Sequence, residues 1–248
     1  MLAVRELRQV THPDQFCKDT TALAADGDTY IVSDLHLGSP YFRLENFVRF
    51  LDALPTGVRL VLNGDTIDEP GDPLPAAHED VIHRLVRESR QRSVIWVHGN
   101  HDESFGLADA GDIQFVRRWE VADKLLVVHG DQLDGVMPKH GLFKKIFKKF
   151  HRLRVRFGFP DMHVAHYAKR WGLLYRVLNE HVARRAIDAA RRDGFHAVTC
   201  GHTHAPMEWE RDGHRYLNTG AWTEDPNHYV TVTDGGRIEL RIFPQDPA

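Results

Sequence analysis

The chain of 248 residues has little cysteine: Cys17 and Cys200 stand far apart, without metal-ligand spacing. Two such thiols exclude a disulfide framework and a cysteine-built zinc site, and they point to a reducing compartment. Long apolar runs are absent. No stretch approaches the ~20 residues of a membrane-spanning helix, and Met1-Leu2-Ala3-Val4-Arg5-Glu6 reaches charge too early for a signal-peptide core. A cytoplasmic location is expected. Acidic residues are missing from one stretch, 135–160, where Lys139, Lys144, Lys145, Lys148, Lys149, Arg152, Arg154 and Arg156 add eight positive charges to a chain of formal net charge −3. Segregation of that kind predicts an anionic partner at that segment. No internal repeat and no low-complexity tract is present.

What is there is a recurrent motif. Asp34-Leu35-His36, Gly64-Asp65, Gly99-Asn100-His101-Asp102, His129-Gly130-Asp131 and Gly201-His202-Thr203-His204 each follow a short apolar run. The runs are Tyr30 to Val32, Leu60 to Leu62, Val94 to Val97, Leu125 to Val128 and Ala197 to Cys200, all of strand length. Helical spacing over Phe42 to Leu54 and Ala76 to Arg92 alternates with the first three, which implies an α/β core. Tyr216 to Gly220 and a hairpin from Tyr229 to Phe243, turning at Asp234-Gly235-Gly236, supply a second, more antiparallel sheet. Residues 1–28 read as a short extension. Residues 136–193 lack strand signals and read as a helical insertion over the active site, within one domain spanning 1–248.

Ligands at strand ends converge in the crevice beyond a sheet. Asp34 and His36, two residues apart, can hold one ion; the two oxygens of Asp65 suit it to bridge; Asn100 offers a carbonyl oxygen; His129, His202 and His204 offer imidazole. Singly, each residue reads as a turn cap or a satisfied polar group. Seven together, in five equivalent places, are enough for two divalent ions with open positions for water and substrate. Asp68, Asp131, His98 and Thr203 read as turn caps or as partners that orient ligands.

These five motifs resemble the signature of calcineurin-like metallophosphoesterases. The resemblance implies a two-sheet αββα sandwich and hydrolysis at phosphorus. It implies that Asp34, His36 and His204 hold one metal, that Asp65 bridges, and that Asn100, His129 and His202 hold the other. It places His101 on the substrate, to stabilise the transition state or protonate the leaving oxygen, with Asp102 expected to orient the ring. Mn2+ is the expected ion, and Fe2+ or Zn2+ suit the same mixed ligands.

Residues 142–157 form a stripe of Leu142, Phe143, Ile146, Phe147, Phe150, Leu153 and Phe157 opposite Lys144, Lys145, Lys148, Lys149, Arg152 and Arg156. A basic amphipathic helix rich in phenylalanine has the composition of an anchor on an anionic membrane. A plain surface helix is the alternative, and nucleic acid is a less favoured partner for the same charge. A second helical stretch, about Met162 to Arg192, is expected to complete a cap from which Lys169, Arg170 and Arg176 reach phosphate.

Within the wider group, the chain is most similar to UDP-2,3-diacylglucosamine pyrophosphatases. It shares with them Ser33-Asp34-Leu35-His36-Leu37-Gly38, His98-Gly99-Asn100, the helical insertion, and Gly220-Ala221-Trp222-Thr223-Glu224. That resemblance implies an enzyme on the cytoplasmic face of the inner membrane, releasing UMP and 2,3-diacylglucosamine 1-phosphate in lipid A synthesis. His101 departs from it, because characterised members carry Arg at this position. A histidine suits a leaving group that wants a proton, so a broader phosphodiesterase or phosphatase, or an enzyme for another lipid-linked pyrophosphate, is the alternative. A single-strand nuclease and a scaffold that has lost catalysis are the others.

Overall fold

The structure is a computed structural model that describes residues 27–134 and 172–244, with only the backbone of 172–174. Three parallel strands begin it: β1 (Thr29–Val32), β2 (Arg59–Asn63) and β3 (Val94–Val97), joined through helices α1 (Leu44–Ala53) and α2 (Ala76–Ser89). Then come β4 (Gln114–Val116), β5 (Trp119–Val121), β6 (Leu125–Val127), a 3-10 turn at Asp131–Leu133, and helix α3 (Gly172–Arg192). β7 (Ala197–Cys200), β8 (Met207–Arg211), β9 (His214–Asn218), β10 (His228–Val232) and β11 (Ile238–Ile242) complete it. One sheet has the order β11-β10-β1-β2-β3-β4 and the other β5-β6-β7-β9-β8.

The apolar runs lack a period of two because they are buried on both faces. Ile31, Val61, Ile95 and Val97 pack toward Leu125, Val127 and Leu217 between the sheets. Their neighbours Val32, Leu60, Leu62, Val94 and Trp96 pack under Phe47, Phe50 and Leu51 of α1 and Val81, Ile82 and Leu85 of α2. On the far side Leu126, Val198, Cys200 and Tyr216 meet Ala183, Ala186, Ile187 and Ala190 of α3. The layers are therefore helix, sheet, sheet, helix, as expected, but the hairpin of β10 and β11 pairs with β1 and extends the first sheet rather than the second.

Several expectations shift in detail. Apolar spacing begins at Phe42, but α1 begins at Leu44, because Arg43 is non-helical at ψ 68° and the Phe42 carbonyl, which would accept the first helical bond, is taken by the Leu44 amide at 2.9 Å. Strands β4, β5 and β8 have no counterpart among the expected elements: the first two are three residues long, and β8, despite the alternation Met207-Glu208-Trp209-Glu210, is a largely exposed strand paired among the described residues with β9. The expected insertion over 136–193 overlaps the described residues only at α3. From Val182 onward that helix is the outer layer on the second sheet rather than a cap, since its buried alanines allow close approach to β7 and β9. The basic helix 142–157, Lys169 and Arg170 lie outside the described residues. Among the described residues no helix is long and apolar enough to cross a membrane.

Candidate metal centre

All five motif loops leave the carboxyl ends of strands, β1, β2 and β3 in one sheet and β6 and β7 in the other. Hydrogen bonds lash neighbouring loops together within each sheet. The Asp34 amide donates to the Gly64 carbonyl at 3.0 Å, His36 N–H to Asp65 at 2.9 Å, and Gly201 N–H to His129 at 2.9 Å. The side-chain amide of Asn63, wholly buried, donates to the carbonyls of Val128 and Thr199 at 3.1 and 3.4 Å and so ties the first sheet to the second.

The local backbone is unusual. Asp34, His36, Asp65, His202 and His204 all lie in the left-handed region, with φ of 54°, 52°, 49°, 65° and 54°. Each such position costs on the order of 1–3 kcal/mol for a residue with a side chain. The surrounding bonds hold them there: the Trp222 amide donates to the Asp34 carbonyl, and the His202 amide to both Asp34 carboxylate oxygens at 3.1 Å. Two glycines make the room. A Cβ on Gly99 would stand 2.5 Å from the Asp65 amide nitrogen, and one on Gly201 would run into the Asp34 carboxylate and Ser33 hydroxyl.

The expected ligands gather into two adjoining groups, Asp34 with His36 and His204, and Asp65 with His129 and His202, and a third group joins His36 to Asp68 and His101. In the first, His36 Nε2 is 3.1 Å from His204 Nε2, which is 3.2 Å from Asp34 Oδ1. In the second, His129 Nε2 is 3.2 Å from Asp65 Oδ2, and His202 Nδ1 is 2.9 Å from Asn100 Oδ1. The structure thus brings all seven expected ligands together, although they come from five loops.

Electrostatics bind the groups. Burial works to raise the Asp65 carboxyl, yet His129, with His101 and His36, outweighs it and holds the group well below its usual range. His129 responds in kind: burial opposes its charge, but Asp65 and Asp34 lift it well above a free imidazole. Burial likewise opposes ionisation at Asp34, where His204 lowers the carboxyl on balance, and at His36, which the Asp68 contact and nearby carboxylates raise.

These residues fit divalent cations on a specific ground. His129 Nδ1 lies 3.0 Å from the Asn63 carbonyl, an acceptor only, so the ring proton sits there and Nε2 keeps a lone pair. That buried Nε2 faces a carboxylate oxygen, Asp65 Oδ2, at 3.2 Å. His36 repeats the pattern, with Nδ1 3.0 Å from Asp68 Oδ1 and Nε2 turned inward. Lone pair facing lone pair is unfavourable unless a cation lies between, and without one a proton takes its place, which is what lifts His129.

His101 borders both groups. Its amide donates to Asp65 Oδ1 at 2.8 Å, its ring meets His36 edge-on at 4.9 Å, and its Nε2 is 3.9 Å from Asp65 Oδ2. The expectation that Asp102 orients this ring is corrected. The Asp102 carboxylate is turned inward and fully buried, accepting from Gly99 N–H at 2.7 Å, Thr66 N–H at 2.9 Å and Trp96 Nε1 at 3.0 Å. Burial and the Asp65 charge raise its carboxyl. It pins the ends of β2 and β3, while Asp68 meets His101 instead, its carbonyl oxygen 2.6 Å from Nδ1.

Asp68 therefore contacts two rings, a role the sequence left open beside that of a turn cap. His98 Nδ1 contacts the Asp102 carbonyl at 2.8 Å, and Thr203 accepts from the Tyr175 hydroxyl of α3. Asp134 went unnoticed in the sequence, where no motif marks it; it is buried, with Oδ2 3.0 Å from His202 Nε2. Arg176 is exposed and paired with Glu180 one turn along α3, at 3.0 Å.

Among solved structures the chain is similar to Yfce, a phosphoesterase from E. coli, at 15% identity and TM-score 0.42, over 88% of this chain and 100% of that one. It is also similar to an archaeal phosphodiesterase, at 13% identity and TM-score 0.44, over 87% and 99%. A third is the nuclease MPE of Pseudomonas putida, at 15% identity and TM-score 0.43, over 86% and 87%. Likeness at this level says nothing of substrate. No curated protein matches the chain. Residues 28–206, well over half of the chain, match the calcineurin-like phosphoesterase family, and the protein belongs to that family of metal-dependent phosphoester hydrolases.

Proposed function

We propose that the protein hydrolyses the pyrophosphate of a nucleotide-linked lipid, UDP-2,3-diacylglucosamine or a close relative, at two divalent ions. Asp34, His36 and His204 would hold one ion, Asn100, His129 and His202 the other, and Asp65 would bridge. The observation that carries the dinuclear reading is the orientation of the His36, His129 and His202 imidazoles, whose outer nitrogens meet acceptors and whose inner nitrogens face other ligand atoms. Ions so held would supply a water of lowered pKa and neutralise charge on the phosphoryl oxygens.

The chain's own residues do the rest. Asp65 fixes the His101 main chain through its amide, and the Asp68 carbonyl holds the ring at Nδ1, leaving Nε2 on the side of the metal ligands, 3.9 Å from Asp65 Oδ2. Protonated, Nε2 donates to the leaving oxygen while Nδ1 keeps its bond, so the ring does not turn as the proton moves. The substrate reading is supported by the sequence motifs shared with the pyrophosphatases and by the basic, phenylalanine-rich stretch 142–157, which suits the cytoplasmic face of an anionic membrane.

A second reading rests on His101 itself. A proton donor in place of arginine favours an alkoxide leaving group, hence a phosphodiester or phosphomonoester. Purified protein loaded with Mn2+ is to be offered UDP-2,3-diacylglucosamine in detergent, a soluble aryl phosphodiester, and single-stranded DNA. Release of UMP, abolished by Asp65→Ala and Asn100→Ala, is expected. No UMP, with turnover of the soluble diester unaffected by detergent, sinks the lipid reading in favour of the second. DNA cleavage that weakens steeply with salt would instead mark a nuclease.

A further inference from the structure

We infer that Asp134 is the positioning residue for the second metal site, acting through His202. The inference rests on the dinuclear reading above and assigns a role to a residue that no motif marks. Asp134 closes the 3-10 turn that follows His129-Gly130, so the loop that delivers one ligand also delivers the partner of another. Its carboxylate is buried, with Oδ2 3.0 Å from His202 Nε2.

The other nitrogen of that ring decides what this contact does. His202 Nδ1 lies 2.9 Å from Asn100 Oδ1. A neutral imidazole has one proton for two oxygen acceptors, and the carboxylate is the stronger. The proton therefore belongs on Nε2, donated to Asp134, and Nδ1 presents a lone pair toward the amide oxygen. That leaves nitrogen and oxygen ligand atoms converging on one position, as His129 Nε2 and Asp65 Oδ2 do beside them. With no acceptor at residue 134, the proton moves to Nδ1 and is donated to Asn100, which closes the position to an ion. The His202 amide is fixed separately by Asp34, so the main chain would stay while the tautomer changes. The expected defect is thus selective.

Binding of Mn2+ alone to the full chain, followed by calorimetry and by the spin-coupled signal of the metal pair, tests this. Wild type should take two ions. Asp134→Ala should keep the first at unchanged affinity and bind the second about 10–100-fold more weakly, the range for losing a partner of a metal-ligating histidine. Asp134→Asn, whose amide oxygen still accepts from Nε2–H without charge, should fall between the two, and it carries the test alone if the alanine variant does not fold. Second-ion affinity within about twofold of wild type in both variants, or equal weakening of both ions, overturns the role of Asp134. Fewer than two ions in wild type overturns the dinuclear reading itself, a separate outcome.

Discussion

His101 Nδ1 lies 2.6 Å from the main-chain carbonyl oxygen of Asp68, while the Asp68 carboxylate reaches 3.0 Å to Nδ1 of His36. The same carboxylate also stands 3.5 Å from His101 Nδ1, so Asp68 touches both rings, and substituting Asp68 and His101 in turn separates their roles. Asp68→Ala leaves the carbonyl in place and should weaken metal binding about 10–100-fold through His36. His101→Ala should leave metal content intact and lower kcat about 10²–10⁴-fold, the usual worth of a positioned acid. Metal analysis and steady-state kinetics on a soluble aryl phosphodiester distinguish them.

Protons and metal compete at His129. Its raised pKa means that, at neutral pH, binding an ion releases a proton, so apparent affinity should climb with pH until the ring titrates on its own. Without metal the signs oppose each other. The depressed Asp65 stabilises the fold above the ordinary carboxylate range and loses that effect as pH falls through its lowered value. The raised His129 stabilises below the ordinary histidine range and loses that effect as pH rises through its elevated value. Metal-free protein should therefore be most stable between those limits, and the gain in Tm on adding Mn2+ should grow as pH rises. A gain that shrinks toward alkaline pH, before the metal itself hydrolyses, would contradict this.

Gly99→Ala should remove metal binding and lower stability together. The added methyl meets the main chain of Asp65 at 2.5 Å and the His129 ring at 2.9 Å, and neither can swing away. Overpacking of this kind costs about 1–3 kcal/mol. Thermal melts and metal content, with and without Mn2+, read both effects.

Trp222 links the core to the site. Its ring is buried against Phe47, Phe50 and Phe243, its amide donates to the Asp34 carbonyl at 3.0 Å, and its carbonyl accepts from Arg43. Trp222→Ala should cost about 3–5 kcal/mol, a fall in Tm on the order of 10 °C. Calorimetry of the metal-free protein should show this loss, and the first-site affinity should drop with it because the Asp34 loop loses its support.

Much of the site was legible because its ligands are local to strong signals. Asp34, Asp65, Asn100, His129 and His202 each follow an apolar run, and a run buried on both faces can be recognised without a period. Asp68 and Asp134 could not be assigned in the same way. Their partners lie 32 and 68 residues away, and an isolated Asp in a turn carries the same local signal whether it caps a helix or orients a ring. Asp102 was misassigned for a related reason: adjacency to His101 in the chain does not bring their side chains together, because successive residues in a turn point apart.

The amino-acid sequence by itself determined the inventory: the ligand types, their delivery at strand ends, and the alternation of strands and helices, all of which follow from local hydrophobicity and donor chemistry. Tertiary structure decided the pairing. Which nitrogen of His36, His129 and His202 faces inward depends on an acceptor brought from a distant loop, and five of the ligands are held at positive φ by bonds between the loops. Such geometry costs energy locally and exists only once the two sheets have packed.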